Sequence, residues 1–134
     1  MTPSTDKLRA AADAAMRKAY APYSQFRVGA ALLATDGTLY AGCNVENSSY
    51  PAGSCAERNA IGAAVNAGRQ EFTELVIVTE ADTPTPPCGL CRQALVEFAP
   101  SLSIASFGAL GTSAQWNLGD LLPNPFTGQS LRHA

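Results

Sequence analysis

Cys55-Ala56-Glu57 and, about thirty residues later, Pro87-Cys88-Gly89-Leu90-Cys91 are the stretches whose reading decides this chain. Each stands where an extended run gives way to a helix. Thr38 to Cys43 reads as a strand, and Asn44 to Ser54 as a loop rich in Asn, Ser, Pro and Gly. From Cys55 to about Ala67 the pattern is helical, with Gly68 as the stop. Glu74 to Thr79 is a short β-branched run typical of a buried strand. Thr83-Pro84-Thr85-Pro86-Pro87 is a stiff connection, and a helix starts near Cys88 and ends before Pro100. Both cysteine stretches therefore fall at helix N-termini, where sites in open α/β sheets gather.

Outward from these stretches, residues from about Thr5 to Tyr20 predict a helix. Leu8, Ala11, Ala12, Ala15 and Met16 recur at helical spacing, Ser4 or Thr5 is the cap, and Pro22 is the stop. Phe26 to Ala34 reads as a strand, and Asp36-Gly37 turns it back into the next. Leu102 to Phe107 and Gln115 to Leu118 are weaker strands, and Gly119 to Leu122 is one helical turn. The order α-ββ-α-β-α-β-β implies a mixed sheet covered by helices. At 134 residues, without internal repeats, residues 1–134 read as a single domain.

Three thiols, Cys55, Cys88 and Cys91, can hold one metal ion. Cys88 and Cys91 share a face on a first helical turn. Cys55 and Glu57 are two apart, a spacing a regular helix would splay, so both reach one pocket only if Cys55 is a non-helical cap. Structural zinc closes with four protein ligands, whereas catalytic zinc keeps a position for water. With no evident fourth ligand, the residues read as a hydrolytic zinc centre with Glu57 as proton carrier. Three thiolates outweigh the charge of Zn²⁺. Two helix N-termini, each worth about half a positive charge, and Arg58 donating to the sulfurs would offset the excess. Two other readings exist. Cys88 and Cys91 alone form a redox-type dithiol spacing. A structural zinc knot needs Cys43 or His133 as fourth ligand, but Cys43 reads as a buried inert thiol and His133 as a frayed tail.

Charged residues make up 15% of the chain against roughly 25% in soluble domains, so part of the surface is expected to be covered by other subunits. Net charge is −2 with no basic run, which gives no electrostatic footprint for nucleic acid. No apolar run is long enough for a bilayer. The N-terminal stretch mixes Asp6, Lys7, Arg9, Asp13, Arg17 and Lys18 with alanines. That is no secretory leader, and a cytoplasmic location with reduced cysteines is expected.

The combination of Cys55-Ala56-Glu57 with Pro87-Cys88-Gly89-Leu90-Cys91 resembles the zinc signature of the cytidine deaminase superfamily. Further stretches resemble its short, homotetrameric three-cysteine branch: Ala21-Pro22-Tyr23-Ser24, Phe26-Arg27-Val28-Gly29-Ala30-Ala31, Gly42-Cys43-Asn44-Val45-Glu46-Asn47, Cys91-Arg92-Gln93 and Leu121-Leu122-Pro123. The resemblance runs from about residue 20 to 126 and departs most at Ser101 to Trp116.

It implies a three-layer α/β/α sandwich around a five-stranded mixed sheet. It also implies one Zn²⁺ per chain on Cys55, Cys88 and Cys91, with Glu57 as proton shuttle. Phe26, Asn44, Glu46 and the Ala56 backbone match nucleoside contacts, while Tyr50 and Phe126 match residues that close a neighbouring subunit's pocket. The implied reaction is hydrolytic deamination of cytidine, and of deoxycytidine, to the uridine product and ammonia by zinc-activated water, in pyrimidine salvage. The implied partners are a small pyrimidine nucleoside and other copies of the chain in a homotetramer, with neither nucleic acid nor membrane. Blasticidin-type deaminases share the three cysteines but lack the paired F-x-V-G-A-A and N-x-E elements seen here.

Overall fold

The computed structural model describes residues 2–132. Helix α1 spans Pro3–Met16 and leads into the hairpin of β1 (Val28–Ala34) and β2 (Leu39–Cys43). Helix α2 (Ala56–Asn66) connects to β3 (Phe72–Thr79), and α3 (Gly89–Val96) connects β3 to β4 (Ser103–Phe107). Strand β5 (Ser113–Asn117) follows, then the short helices α4 (Leu118–Leu121) and α5 (Gly128–Leu131). The sheet has five strands in the order β2-β1-β3-β4-β5. β1 is antiparallel to both β2 and β3, β3 is parallel to β4, and β4 is antiparallel to β5. This is the mixed sheet that the sequence order implies.

Side-chain alternation sorts the core into two halves. Ala30, Leu32, Leu75, Ile77 and Ile104 face one way and meet Ala60, Ile61 and Ala64 of α2 and Leu95 of α3. Ala31, Val76, Val78, Ala105 and Phe107 face the other way and meet Leu8, Ala12 and Met16 of α1. The layers are thus α1, sheet, and α2 with α3. Burial of a side chain such as Leu8, which is fully buried, is worth roughly 1.5–3 kcal/mol. Packing of this kind, more than helix propensity, holds the alanine-rich α1 in place.

Gly29 and Gly42 allow the closest approaches. A Cβ on Gly29 would lie 1.8 Å from the Ala12 carbonyl oxygen, and one on Gly42 would lie 2.6 Å from the Ala60 nitrogen. The Gly29-Ala30-Ala31 run thus marks a helix pressed on the strand.

Several boundaries differ from the sequence reading: β1 begins at Val28 rather than Phe26, β2 at Leu39 rather than Thr38, and β3 at Phe72 rather than Glu74. The α1 cap is Thr2, whose Oγ1 accepts from Thr5 N–H at 3.1 Å, because Pro3 fits the first helical position. Ser4 and Thr5 instead donate their hydroxyls to the Glu74 carboxylate. α1 also ends at Met16 rather than near Tyr20. Tyr20 pairs with the chain beyond β2, donating to Asn44 O at 3.0 Å and accepting from Glu46 N–H at 2.9 Å. That tertiary pairing ends the helix before Pro22 does. Finally, β5 begins at Ser113, after a turn in which Leu110 takes φ 61° and Gly111 φ 74°.

Topology explains where a site forms. β2 and β3 both run antiparallel to β1, so they point the same way. The loops leaving them reach the same edge of the sheet, and α2 and α3 both begin there.

Candidate metal centre and adjoining cavity

Cys55 is the N-cap of α2, with extended backbone at φ −77° and ψ 154°. Cys88 caps α3 in the same way, at φ −68° and ψ 170°. Cys55 therefore meets the non-helical condition that the Cys55–Glu57 spacing imposes. Cys91 lies one turn into α3 and is buried. The Sγ atoms of Cys55, Cys88 and Cys91 all fall within 4.8 Å of one another, and Cys55 and Cys88 are 3.8 Å apart. Zn–S bonds of about 2.3 Å in a tetrahedron set sulfurs about 3.8 Å apart, so the donor set fits zinc.

Protonation points the same way. Cys55 is pulled down to about 5, chiefly by the Cys91 thiol that donates to it, with help from Arg58 and Cys88. Cys91 is pushed up by that same donation and by burial. Three crowded sulfurs resist joint ionisation until a cation replaces their protons. Arg58 Nη2 donates to Cys55 Sγ at 3.8 Å, while its buried Nε has no partner among the described residues.

Glu57, in the first turn of α2, is 5% exposed. Burial pushes its carboxyl up to about 7, and the Cys55 charge pushes in the same direction. Ala56 is fully buried beside it. Cys43 is half-buried rather than buried, its carbonyl accepts from Asn59 Nδ2 at 2.7 Å, and it stands outside the sulfur cluster. His133 lies outside the described residues.

A cavity of about 610 Å³ opens beside the sulfurs. Cys55, Arg58, Leu90, Asn44, Glu46, Tyr50, Tyr23 and Ser24 are among the residues that line it. The 23–26 turn wraps the Glu46 carboxylate. Tyr23 and Ser24 N–H groups each donate to Glu46 Oε1 at 3.0 Å, and the Ser24 hydroxyl donates to Oε2. Those bonds, Ser24 first, hold Glu46 below the usual carboxylate range. Gln25, in the left-handed region at φ 56°, closes the turn.

Asn44 clamps the start of β1: Oδ1 accepts from Val28 N–H at 2.9 Å, and Nδ2 donates to Phe26 O at 2.8 Å. Asn44 and Glu46 thus both engage the segment before β1. Phe26 is half-buried there and is not a wall of this cavity. Tyr50 is 77% exposed at the rim. Phe126 is 59% exposed, with its carbonyl held by Gln93 Nε2 at 2.6 Å, and it too lies off the cavity of its own chain. Tyr23 and Ser24 are cavity residues that the sequence reading names only within a resembling stretch. Their role arises from contact with Glu46 across 22 to 23 positions, which local patterning does not carry.

A sheet edge with two cysteine-capped helices, a third thiol and a buried carboxylate defines a zinc-binding α/β domain. The chain matches the family described as "Cytidine and deoxycytidylate deaminase zinc-binding region" over residues 3–106, and it belongs to that family. It is similar to the cytidine deaminase of Sporosarcina psychrophila, at 43% identity over 130 residues and 96% of each chain. The crystal structure of cytidine deaminase from Burkholderia pseudomallei has a TM-score of 0.87 and 45% identity, covering 94% of this chain and 100% of that one. That of cytidine deaminase from Mycobacterium tuberculosis has a TM-score of 0.79 and 41% identity, covering 90% and 95%. Family and sulfur cluster together give the chain one zinc ion.

Proposed function

We propose that this chain is a zinc-dependent cytidine deaminase, converting cytidine and deoxycytidine to uridine and deoxyuridine with release of ammonia. The observation that carries the reading is the convergence of three thiol sulfurs beside a buried Glu57 in a chain of this family. Cys55, Cys88 and Cys91 hold the ion, and zinc when bound supplies Lewis-acid activation of water. Arg58 draws charge from Cys55 and so limits how strongly the sulfurs donate.

Glu57 moves the proton. Burial raises its carboxyl above the free value, which helps it both accept and return a proton near neutral pH, as a free Glu does poorly. It takes one proton from water and delivers it toward the cytosine ring nitrogen N3 as the water oxygen bonds to C4. It then passes the proton of the new C4 hydroxyl to the amine, so that the C4–N bond breaks, the C4 carbonyl forms and ammonia leaves. The Ala56 backbone faces the base. Glu46 accepts a ribose hydroxyl: three hydrogen bonds occupy part of its acceptor capacity, and a carboxylate offers about four lone-pair positions. Asn44 serves the same end, by its amide and by fixing the chain at Phe26, which packs against the nucleoside. Arg58 and Glu46 both line the one cavity, which supports a reading in which the base lies toward the sulfurs and the sugar toward Glu46.

Tyr50 and Phe126, both exposed in the single chain, close the pocket of a neighbouring subunit in a homotetramer. The whole chain is one deaminase domain. No described helix is long and apolar enough to cross a membrane, and we place the enzyme in the cytoplasm, in pyrimidine salvage.

Glu46→Ala tests the orientation: it should raise the inhibition constant of a ribonucleoside analogue well beyond that of the bare base, and equal weakening of both would refute the ribose assignment. Sedimentation equilibrium tests the assembly, with a tetramer expected; a fully active monomer would refute shared pockets.

A further inference from the structure

The segment 81–87 delivers Cys88 to the sulfur cluster. Ala81 N–H donates to Thr79 Oγ1 at 3.2 Å and the Thr79 and Thr85 hydroxyls lie 3.3 Å apart, and its remaining side-chain and turn contacts are made through its carbonyls. Pro84, Pro86 and Pro87 have no amide hydrogen to give. The donors come from elsewhere. Ala109 N–H reaches the Ala81 carbonyl at 2.7 Å, and Thr112 Oγ1 reaches that of Asp82 at 2.6 Å. Nearer the metal centre, Ser106 Oγ donates to Thr85 O at 2.8 Å, and Arg92 Nε donates to Pro87 O at 2.8 Å.

Ser106 is the informative one. It is fully buried on β4, which follows α3, while Thr85 precedes α3. A hydroxyl in such a place is costly unless bonded, and its bond goes to the third residue before Cys88. Arg92 follows Cys91 directly in α3. Its guanidinium takes two carbonyls at once, with Nη1 donating to Leu121 O at 3.1 Å. A single side chain thereby joins the residue before Cys88 to the end of α4. Neither Ser106 nor Arg92 belongs to the sulfur cluster.

Resting on the three-cysteine zinc centre, we propose that Ser106 and Arg92 are positioning residues of that centre, seating the Thr85 and Pro87 carbonyls and through them Cys88 Sγ. A ligand delivered by a loop is only as well placed as the loop. Here the loop's own prolines cannot supply N–H donors, so these two side chains set its position from either side. Cys88 caps α3 as Cys55 caps α2, but the chain entering Cys88 is held by these two side chains, so losing one shifts Cys88 Sγ relative to Cys55 and Cys91. Zinc is then released more readily and its thiolate environment changes.

The test compares zinc-loaded wild type, Ser106→Ala and Arg92→Met, each shown to be folded by circular dichroism. Zinc release to excess chromogenic chelator is timed, and the thiolate-to-metal charge-transfer band of the cobalt-substituted proteins is recorded. Both variants should release zinc faster, on the order of tenfold to a hundredfold, with a shifted band. Ser106→Ala leaves α3 and the C-terminal segment untouched and decides the matter if Arg92→Met does not fold. Wild-type release and a wild-type band in either folded variant overturn the inference and leave the metal centre standing. A wild-type chain that takes up no zinc overturns the centre and the inference together.

Discussion

The helices on the two faces of the sheet are packed by the same device and end in different chemistry. Gly29 lets α1 rest its backbone on one face, and Gly42 lets α2 rest on the other. Both faces are apolar and carry alanines at the contact. The difference lies at the helix N-termini. That of α1 sits by the start of β3, where the Glu74 carboxylate, bonded by Ser4 and Thr5, answers its partial positive charge. Those of α2 and α3 sit at the opposite edge and are capped by Cys55 and Cys88, whose side chains make no cap hydrogen bond. Packing thus places a helix, but strand direction decides whether its N-terminus is closed by the chain or left for a metal.

The comparison is broken most sharply at Glu57. Glu57→Gln should lower kcat by on the order of 10²–10⁴-fold while zinc content and melting temperature stay near wild type; paired kinetics and metal analysis check this, and retained turnover would remove Glu57 from the mechanism. Leu8→Ala, on the α1 face, should do the reverse. It should cost roughly 2–5 kcal/mol of stability and leave kcat of the folded protein unchanged, as read by denaturant melts beside initial rates.

The two glycines give a finer contrast. Gly29→Ala and Gly42→Ala should each cost on the order of 1–3 kcal/mol or more by overpacking. Only Gly42→Ala, whose added methyl meets the Ala56 carbonyl at 2.7 Å, should also speed zinc release. Equal metal retention in both would show that α2 tolerates the shift.

The smallest effect lies off both faces, in the β1–β2 turn. Bonds from Thr38 first, and then Arg69, hold Asp36 down at about 2 instead of 3.8. A lowered folded-state pKa stabilises above the unfolded value and loses that contribution as pH falls. The stability gap between wild type and Asp36→Asn should therefore be present above about pH 4 and close on acidification toward pH 2, as read by melts across that range.

Much of this arrangement was legible before any coordinates. Cys55, Glu57, Cys88 and Cys91 stand at spacings that make sense only at helix starts, and the β-branched run before the proline loop announced a buried strand. What was not legible depends on distant partners. The end of α1 at Met16 is set by Tyr20 pairing with the chain beyond β2. The engagement of Glu46 by Tyr23 and Ser24, and of Thr85 by Ser106, joins residues that no local period relates. Nor does local pattern in the sequence show that Phe126 lies off the cavity of its own chain.

The most direct test follows the cytosine absorbance of cytidine in the presence of the purified protein, with zinc quantified in the same sample. The account predicts steady loss of the band with one zinc per chain. Protein carrying one zinc per chain that turns over neither cytidine nor deoxycytidine would contradict it.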